Sequence, residues 1–139
     1  MEEAGKILDN GSKLTRKHKF DAGQDVHSAE DVFIDPRSSA VISTKLFVAV
    51  PTYHVGLLHS RSGLSVKHQL EVGAGIIDVG YTGEVKVHLY NHGDNAYQVR
   101  KGDRIAQLIT MPININAYTP VASLEDSARG ANGFASTGK

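Results

Sequence analysis

The sequence predicts an all-β sandwich or barrel, and three observations carry that prediction. Apolar residues recur with a period of two: Val85, Val87 and Leu89 alternate with Glu84, Lys86 and His88, the pattern of a half-buried strand. Other short runs are rich in β-branched and aromatic residues. Gly, Pro, Asn and Asp separate these runs at intervals of about ten residues, as in sandwiches and barrels.

Taken in order, residues 1–19 are charged throughout and read as an extension or first strand, with the basic run 13–19 (KLTRKHK) as a solvated segment. Residues 40–50 (AVISTKLFVAV) form a β-branched run that Pro51 ends, and residues 53–58 form the next. Residues 62–70 predict the one short helix, with Ser62 as its cap ahead of Leu64, Val66 and Leu70. Tyr97 and Val99 precede a turn at Lys101-Gly102-Asp103, and residues 105–109 resume as a strand. Ser123-Leu-Glu-Asp126 matches a capping box, or forms only a turn. Residues 129–139 (RGANGFASTGK) have Phe134 as their single large apolar side chain, too little to order a tail. One domain over residues 1–128, followed by a flexible Gly-rich tail over 129–139, is the expected organisation.

Composition excludes several functions. The 139 residues hold 15 Lys+Arg against 15 Asp+Glu, a balance that argues against non-specific binding to nucleic acid or an acidic membrane over a whole face, because that mode runs on an excess of Lys and Arg. There is no cysteine, hence no disulfide framework, thiolate metal site or cysteine nucleophile. The first 19 residues lack the apolar stretch of a secretory signal, and no apolar run approaches the roughly 18 residues of a membrane span. A soluble intracellular protein is expected, cytoplasmic or, in a eukaryote, nuclear. The seven histidines show no zinc spacing, and the strand-like alternation around His88 and His92 puts those two out of ligand register. Gly138-Lys139 has no following helix and is no phosphate loop of the Walker type.

Four polar clusters remain, and each has a bland reading beside the chemical one. Asp78 follows Ile76 and Ile77 and precedes a Gly-punctuated turn; a shielded carboxylate there could orient or deprotonate water, or only satisfy turn amides. In His59-Ser-Arg-Ser-Gly-Leu64, Arg61 and two hydroxyls stand at a strand-to-helix transition that favours an anion or merely caps a helix. Arg104 and Gln107 could offer planar donors to an oxyanion, or serve packing. Asp21 and Asp25 flank Gly23, hard oxygen ligands suited to Mg²⁺ that keeps its waters, or a polar turn. In the tail, Arg129, two hydroxyls and three glycines are the inventory for cradling a phosphate.

Together and in this order the clusters say more. Asp21-Ala-Gly-Gln-Asp-Val26, Arg61-Ser-Gly-Leu64, Gly73-Ala-Gly-Ile-Ile-Asp-Val-Gly-Tyr-Thr-Gly-Glu84, Gly102-Asp-Arg-Ile-Ala-Gln-Leu-Ile109 and Arg129-Gly-Ala-Asn-Gly-Phe-Ala-Ser-Thr-Gly138 resemble the five ordered motifs of the homotrimeric dUTPases. The resemblance runs from about residue 20 to the C-terminus.

That resemblance implies a distorted jelly-roll or β-clip barrel and the Mg²⁺-dependent hydrolysis of dUTP to dUMP and pyrophosphate, which keeps uracil out of DNA and supplies dUMP for dTMP synthesis. It also implies a homotrimer whose active sites are shared between subunits. By the same likeness Asp25 would hold Mg²⁺ through waters, and Arg61, Ser62 and Gly63 would lie on the phosphate chain. Asp78 would activate the water that attacks the α-phosphorus. An apolar hairpin around Gly75, Ile76 and Ile77 would read the uracil edge with backbone groups, with Tyr81 under the deoxyribose. Gln107 would contact phosphates and Arg104 support the site. In the closing tail Phe134 would stack on uracil, while Arg129, Ser136 and Thr137 would hold the γ-phosphate. The chain departs from the family pattern at Gly80 and Thr82, where Asp and Arg are usual, and at Asn132 and Ala135, where glycines are usual. Ala135 is the harder change if its position needs a positive φ. A dCTP deaminase of the same fold and a non-catalytic nucleotide-binding regulator are the rival readings.

Overall fold

The computed structural model describes residues 3–135. Strands dominate it, as the period-two pattern requires. Two short strands, β1 (Lys6–Ile7) and β2 (Leu14–Thr15), precede β3 (Gln24–His27) and β4 (Val32–Ile34). β5 (Ser38–Leu46) and β6 (Val48–Ala49) divide the run expected over 40–50, and β7 (His54–His59) follows Pro51. After helix α1 (Ser62–His68) come β8 (Leu70–Gly73) and β9 (Ile76–Ile77), then β10 (Val85–Asn91), β11 (Tyr97–Val99) and β12 (Arg104–Pro112). No described residue beyond Pro112 is helical or in a strand, so the capping-box match at residues 123–126 starts no helix.

A five-stranded sheet in the order β2-β3-β12-β7-β9 faces a three-stranded sheet in the order β5-β10-β8. Two-stranded pieces, β4 with β11 and β1 with β6, complete the jelly-roll-like arrangement. Inward positions of both sheets form one core: Val26, Leu58, Ile77 and Leu108 from the larger, Ile42, Leu46, Val85, Val87 and Leu89 from the smaller. β10 shows the alternation most fully, with Val85, Val87, Leu89 and Asn91 buried. The buried Asn91 is fully partnered: its amide donates to the carbonyls of Ile34 and Asn95, and its Oδ1 accepts from the Gly93 N–H. No polar group is stranded there.

Three expectations need correction. The basic run is not wholly solvated, because Leu14 pairs with Val26 and packs against the core. Helix α1 stops at His68, where Gln69 turns left-handed at φ 53°; Leu70 already belongs to β8. Its N-cap is Arg61 rather than Ser62, no side chain caps it, and Val66 is exposed.

The third concerns the hairpin expected around Gly75. β8 pairs with β10, whereas β9 pairs with β7, Ile76 opposite Leu57 and Ile77 opposite Gly56. The chain therefore changes sheets between Gly73 and Ile76, through Ala74 at φ 51° and Gly75 at φ 109°. The Leu58 N–H donates to the Gly75 carbonyl at 2.7 Å, and a Cβ on Gly75 would lie 2.7 Å from the Leu58 oxygen. Only glycine meets both conditions without displacement. As the last strand of its sheet, β9 keeps one edge of backbone groups unpaired among the described residues.

Candidate active site

β3 and β12 run antiparallel with Gln107 directly opposite Asp25, and β12 also pairs with β7, Gln107 opposite His59. That register puts the first and fourth motifs side by side and brings the second, which follows β7, to the same end of the sheet. Gly23 makes the close packing possible: a Cβ there would lie 2.3 Å from the Gln107 side-chain oxygen. The Gln107 amide in turn donates to the Ser60 carbonyl at 2.9 Å, and the Ser60 hydroxyl accepts from the Val72 N–H at 3.0 Å. The loop leading into α1 is thus fixed from both sides.

The result is a polar cleft of about 310 Å³ lined by Asp21, Gly23, Asp25, Arg61, Ser62, Arg104 and Gln107, with Lys17 at its margin. Asp25 is its electrostatic centre. Arg61 Nε lies 3.2 Å from Asp25 Oδ1 and Arg104 Nη1 lies 3.8 Å from Oδ2. Arg61 also donates to the Arg104 carbonyl at 3.3 Å. Both carboxylate oxygens therefore face guanidinium groups whose remaining N–H donors are available to a further anion. Beside this cluster Tyr97 packs at 4.9 Å from the His68 ring; burial pushes its phenol pKa up, Asp103 adds to the rise and Arg61 opposes it.

The third motif lies elsewhere in the chain. No residue from Gly75 to Tyr81 lines the cleft. Asp78 and Tyr81 are exposed on the loop between β9 and β10, and that loop is braced internally. Tyr81 donates its hydroxyl to the Glu84 carbonyl at 2.8 Å, and Gly83 packs so tightly against Tyr81 that a Cβ would lie 2.6 Å from the phenol oxygen. The Glu84 carboxylate accepts from the Ser43 hydroxyl and, at 2.8 Å, from the Lys45 N–H. The Ser43 bond holds the Glu84 pKa below its ordinary value; desolvation pushes the other way, and the Lys45 N–H and the Lys45 and Lys86 charges assist the lowering.

In the tail, Arg129 Nε donates to the Asn132 carbonyl at 2.7 Å, and Phe134 is fully exposed. Phe134 and Ala135 both have positive φ, 47° and 66°. The position where the family usually has glycine is therefore left-handed here with alanine in it. Ser136 and Thr137 lie outside the described residues. Sequence reasoning missed Lys17, whose basic neighbourhood suggested a solvated segment. Its one signal was position, just ahead of the first motif.

A dUTPase family model matches residues 9–138 of the chain. The mouse deoxyuridine 5′-triphosphate nucleotidohydrolase is 43% identical over 134 residues, 96% of this chain and 83% of the mouse protein. This chain belongs to the dUTPase family. The Saccharomyces cerevisiae nucleotidohydrolase is 46% identical over 118 residues, covering 84% of this chain and 80% of its own. Among solved structures, the dUTPase of Staphylococcus bacteriophage 80alpha with dUpNHpp superposes with a TM-score of 0.89 at 35% identity, over 98% of this chain and 99% of the other. A point mutant of the phage phi11 dUTPase, described with a structural Mg(II) ion, superposes with a TM-score of 0.81 at 31% identity, over 89% and 100%. For a dUTPase family member, the cleft brings together the first, second and fourth motifs, while the third and fifth stand apart. Among the described residues no group of three or more His, Asp or Glu side chains forms a metal cage, and no helix is long and apolar enough to cross a membrane.

Proposed function

We propose that this chain hydrolyses dUTP to dUMP and pyrophosphate, with the cleft around Asp25 taking the phosphate chain. The observation that carries this is the convergence of Asp25, Arg61, Ser62, Arg104 and Gln107, from three separate segments, on one polar cleft. Family membership supplies the substrate; the cleft supplies the charge and planar donors a triphosphate needs. Arg61, with Ser62 and Gly63 at the start of α1, lies along the phosphates. Gln107 offers a further amide, and Arg104 keeps the cluster in place.

Asp78 orients a water and accepts its proton as the water oxygen bonds to the α-phosphorus. The bond from that phosphorus to the α–β bridging oxygen breaks, and the electron pair leaves with pyrophosphate. The residues present fit Mg²⁺ in one way only. With its oxygens facing Arg61 and Arg104, Asp25 suits an outer contact through water to an ion held mainly by phosphate oxygens, with Asp21 on the same wall. Such an ion, when bound, neutralises phosphate charge and aligns the chain for in-line attack.

The uracil assignment rests on the open edge of β9. The Gly75 carbonyl is taken by the Leu58 N–H, but the Gly75 N–H and the open-edge backbone groups of Ile76 and Ile77 can match the N3–H and carbonyls of uracil. Cytosine inverts the pattern and leaves groups unpaired, at about 1–3 kcal/mol for each mismatch. Tyr81 lies under the deoxyribose, where a 2′-hydroxyl has no space. Phe134 closes on the base, with Arg129, Ser136 and Thr137 on the terminal phosphate, the tail 129–139 acting as a lid on a body of residues 1–128.

A homotrimer with shared sites explains why one chain keeps Asp78 apart from the cleft. The stretch beyond β12 supports it as well: Ile115, Tyr118, Val121 and Leu124 are exposed on an irregular segment that no other described residue covers. One assay tests the reading: incubation with Mg²⁺ and each dNTP in turn. Pyrophosphate and dUMP from dUTP alone are expected; ammonia from dCTP would indicate a deaminase, and no turnover a binding module.

A further inference from the structure

The charges on the cleft wall do not cancel. Of its two carboxylates, Asp25 already faces Arg61 and Arg104. Asp21 is committed to the backbone: its Oδ2 accepts from the His18 N–H at 3.0 Å, while its own N–H donates to the His18 carbonyl at 3.1 Å. This reciprocal pair closes a tight turn between β2 and β3, and the turn presents Lys17 to the cleft. The Lys17 amine makes no hydrogen bond or ion pair among the described residues. A cation thus lines a polar cleft whose other charges, two carboxylates and two guanidinium groups, balance one another. The ammonium on its flexible stem acts as a point charge able to follow phosphate oxygens.

We propose that Lys17 is a further phosphate-contacting residue, binding the pyrophosphoryl portion of the nucleotide and the pyrophosphate product. This rests on the reading that the cleft takes the phosphate chain. None of the five motifs includes Lys17; the contact comes from the turn between β2 and β3. Lys17 adds affinity through charge, and its contribution falls as ionic strength rises.

The test is calorimetric titration of Mg²⁺-pyrophosphate into the full-length chain and its Lys17→Ala, Lys17→Arg and Lys13→Ala variants, alongside dUTP turnover. Lys13 belongs to the same basic run but does not line the cleft. Lys17→Ala is expected to weaken pyrophosphate binding about three- to tenfold, with KM for dUTP rising by a similar factor and Lys17→Arg recovering most of the loss. Lys13→Ala should bind like the parent. Equal affinities for Lys17→Ala and the parent, an equal loss in Lys13→Ala, or a parent that binds no pyrophosphate would each overturn the assignment. The hydrolase reading fails separately: a parent that releases no pyrophosphate from dUTP, yet loses pyrophosphate affinity on Lys17→Ala, keeps Lys17 and discards the substrate.

Discussion

Arg61 Nε sits 3.2 Å from Asp25 Oδ1, tying the residue that opens the only helix among the described residues to a strand of the larger sheet. Both side chains are mostly buried, at 26% and 19% exposure, so the pair lies between a surface bridge and a desolvated one. Its removal has a structural and a functional consequence that can be read separately.

Asp25→Asn leaves Arg61 and Arg104 facing each other without a counter-charge. A loss of about 1–2 kcal/mol in unfolding free energy is expected, discounted from the buried-pair range for the remaining exposure. Urea unfolding measures it. Activity should fall further than stability explains, with a higher Mg²⁺ requirement; an unchanged Mg²⁺ dependence would remove Asp25 from the metal's outer shell.

Asp78→Asn tests the opposite combination. Asp78 is exposed and forms no part of the core, so thermal unfolding should stay close to the parent's. Turnover should fall by about 10²–10⁴ if its carboxylate takes the proton of the attacking water. Full activity in a folded Asp78→Asn variant would place the base elsewhere.

Gly75→Ala is expected to be among the costliest single-methyl changes, about 1–3 kcal/mol by urea unfolding. The new Cβ would meet the Leu58 carbonyl, a backbone atom that cannot rotate away, at a residue whose φ is 109°. A near-neutral result would mean that the sheet crossover relaxes freely.

Legibility followed how local each signal is. β10 could be read directly, because alternation at Val85, Val87 and Leu89 is the burial pattern itself. The change of sheets at Gly75 could not, because Ile76-Ile77 look alike whether they pair with β8 or with β7; partner choice depends on Gly56 and Leu57, some twenty positions earlier. β3 was hidden for a related reason. Gln24-Asp-Val-His27 carries a single core residue, Val26, and its strand character comes from β12 beside it. Lys17 is the same case at the site: nothing local separates it from Lys13, and only the turn closed by Asp21 turns it towards the cleft.

Glu84 predicts a pH effect whose sign is fixed. Its folded pKa lies below the ordinary 4.5, chiefly through the Ser43 hydroxyl. A carboxylate with a lowered folded pKa contributes stability above its unfolded pKa and loses it as pH falls through the folded value. Glu84→Gln should therefore be less stable than the parent at neutral pH, by about 1 kcal/mol. The two should converge below pH 4.5. Urea midpoints across that range measure it, and a constant gap would assign the effect to packing.

Mixing two inactive variants decides whether the sites are shared. Arg61→Ala is expected to disable the cleft and spare the Asp78 loop, and Asp78→Asn to do the reverse. If a site draws Arg61 from one subunit and Asp78 from another, random trimers made by co-refolding equal amounts hold intact pairs at about one site in four. Activity near a quarter of the parent's should return from two preparations that are inert alone. If each chain completes its own site, no mixture can contain a functional one, and activity stays at the level of the separate variants. The second outcome would require Asp78, which does not line the cleft of its own chain, to reach it by a movement of the loop that Tyr81, Glu84 and Ser43 brace onto β5.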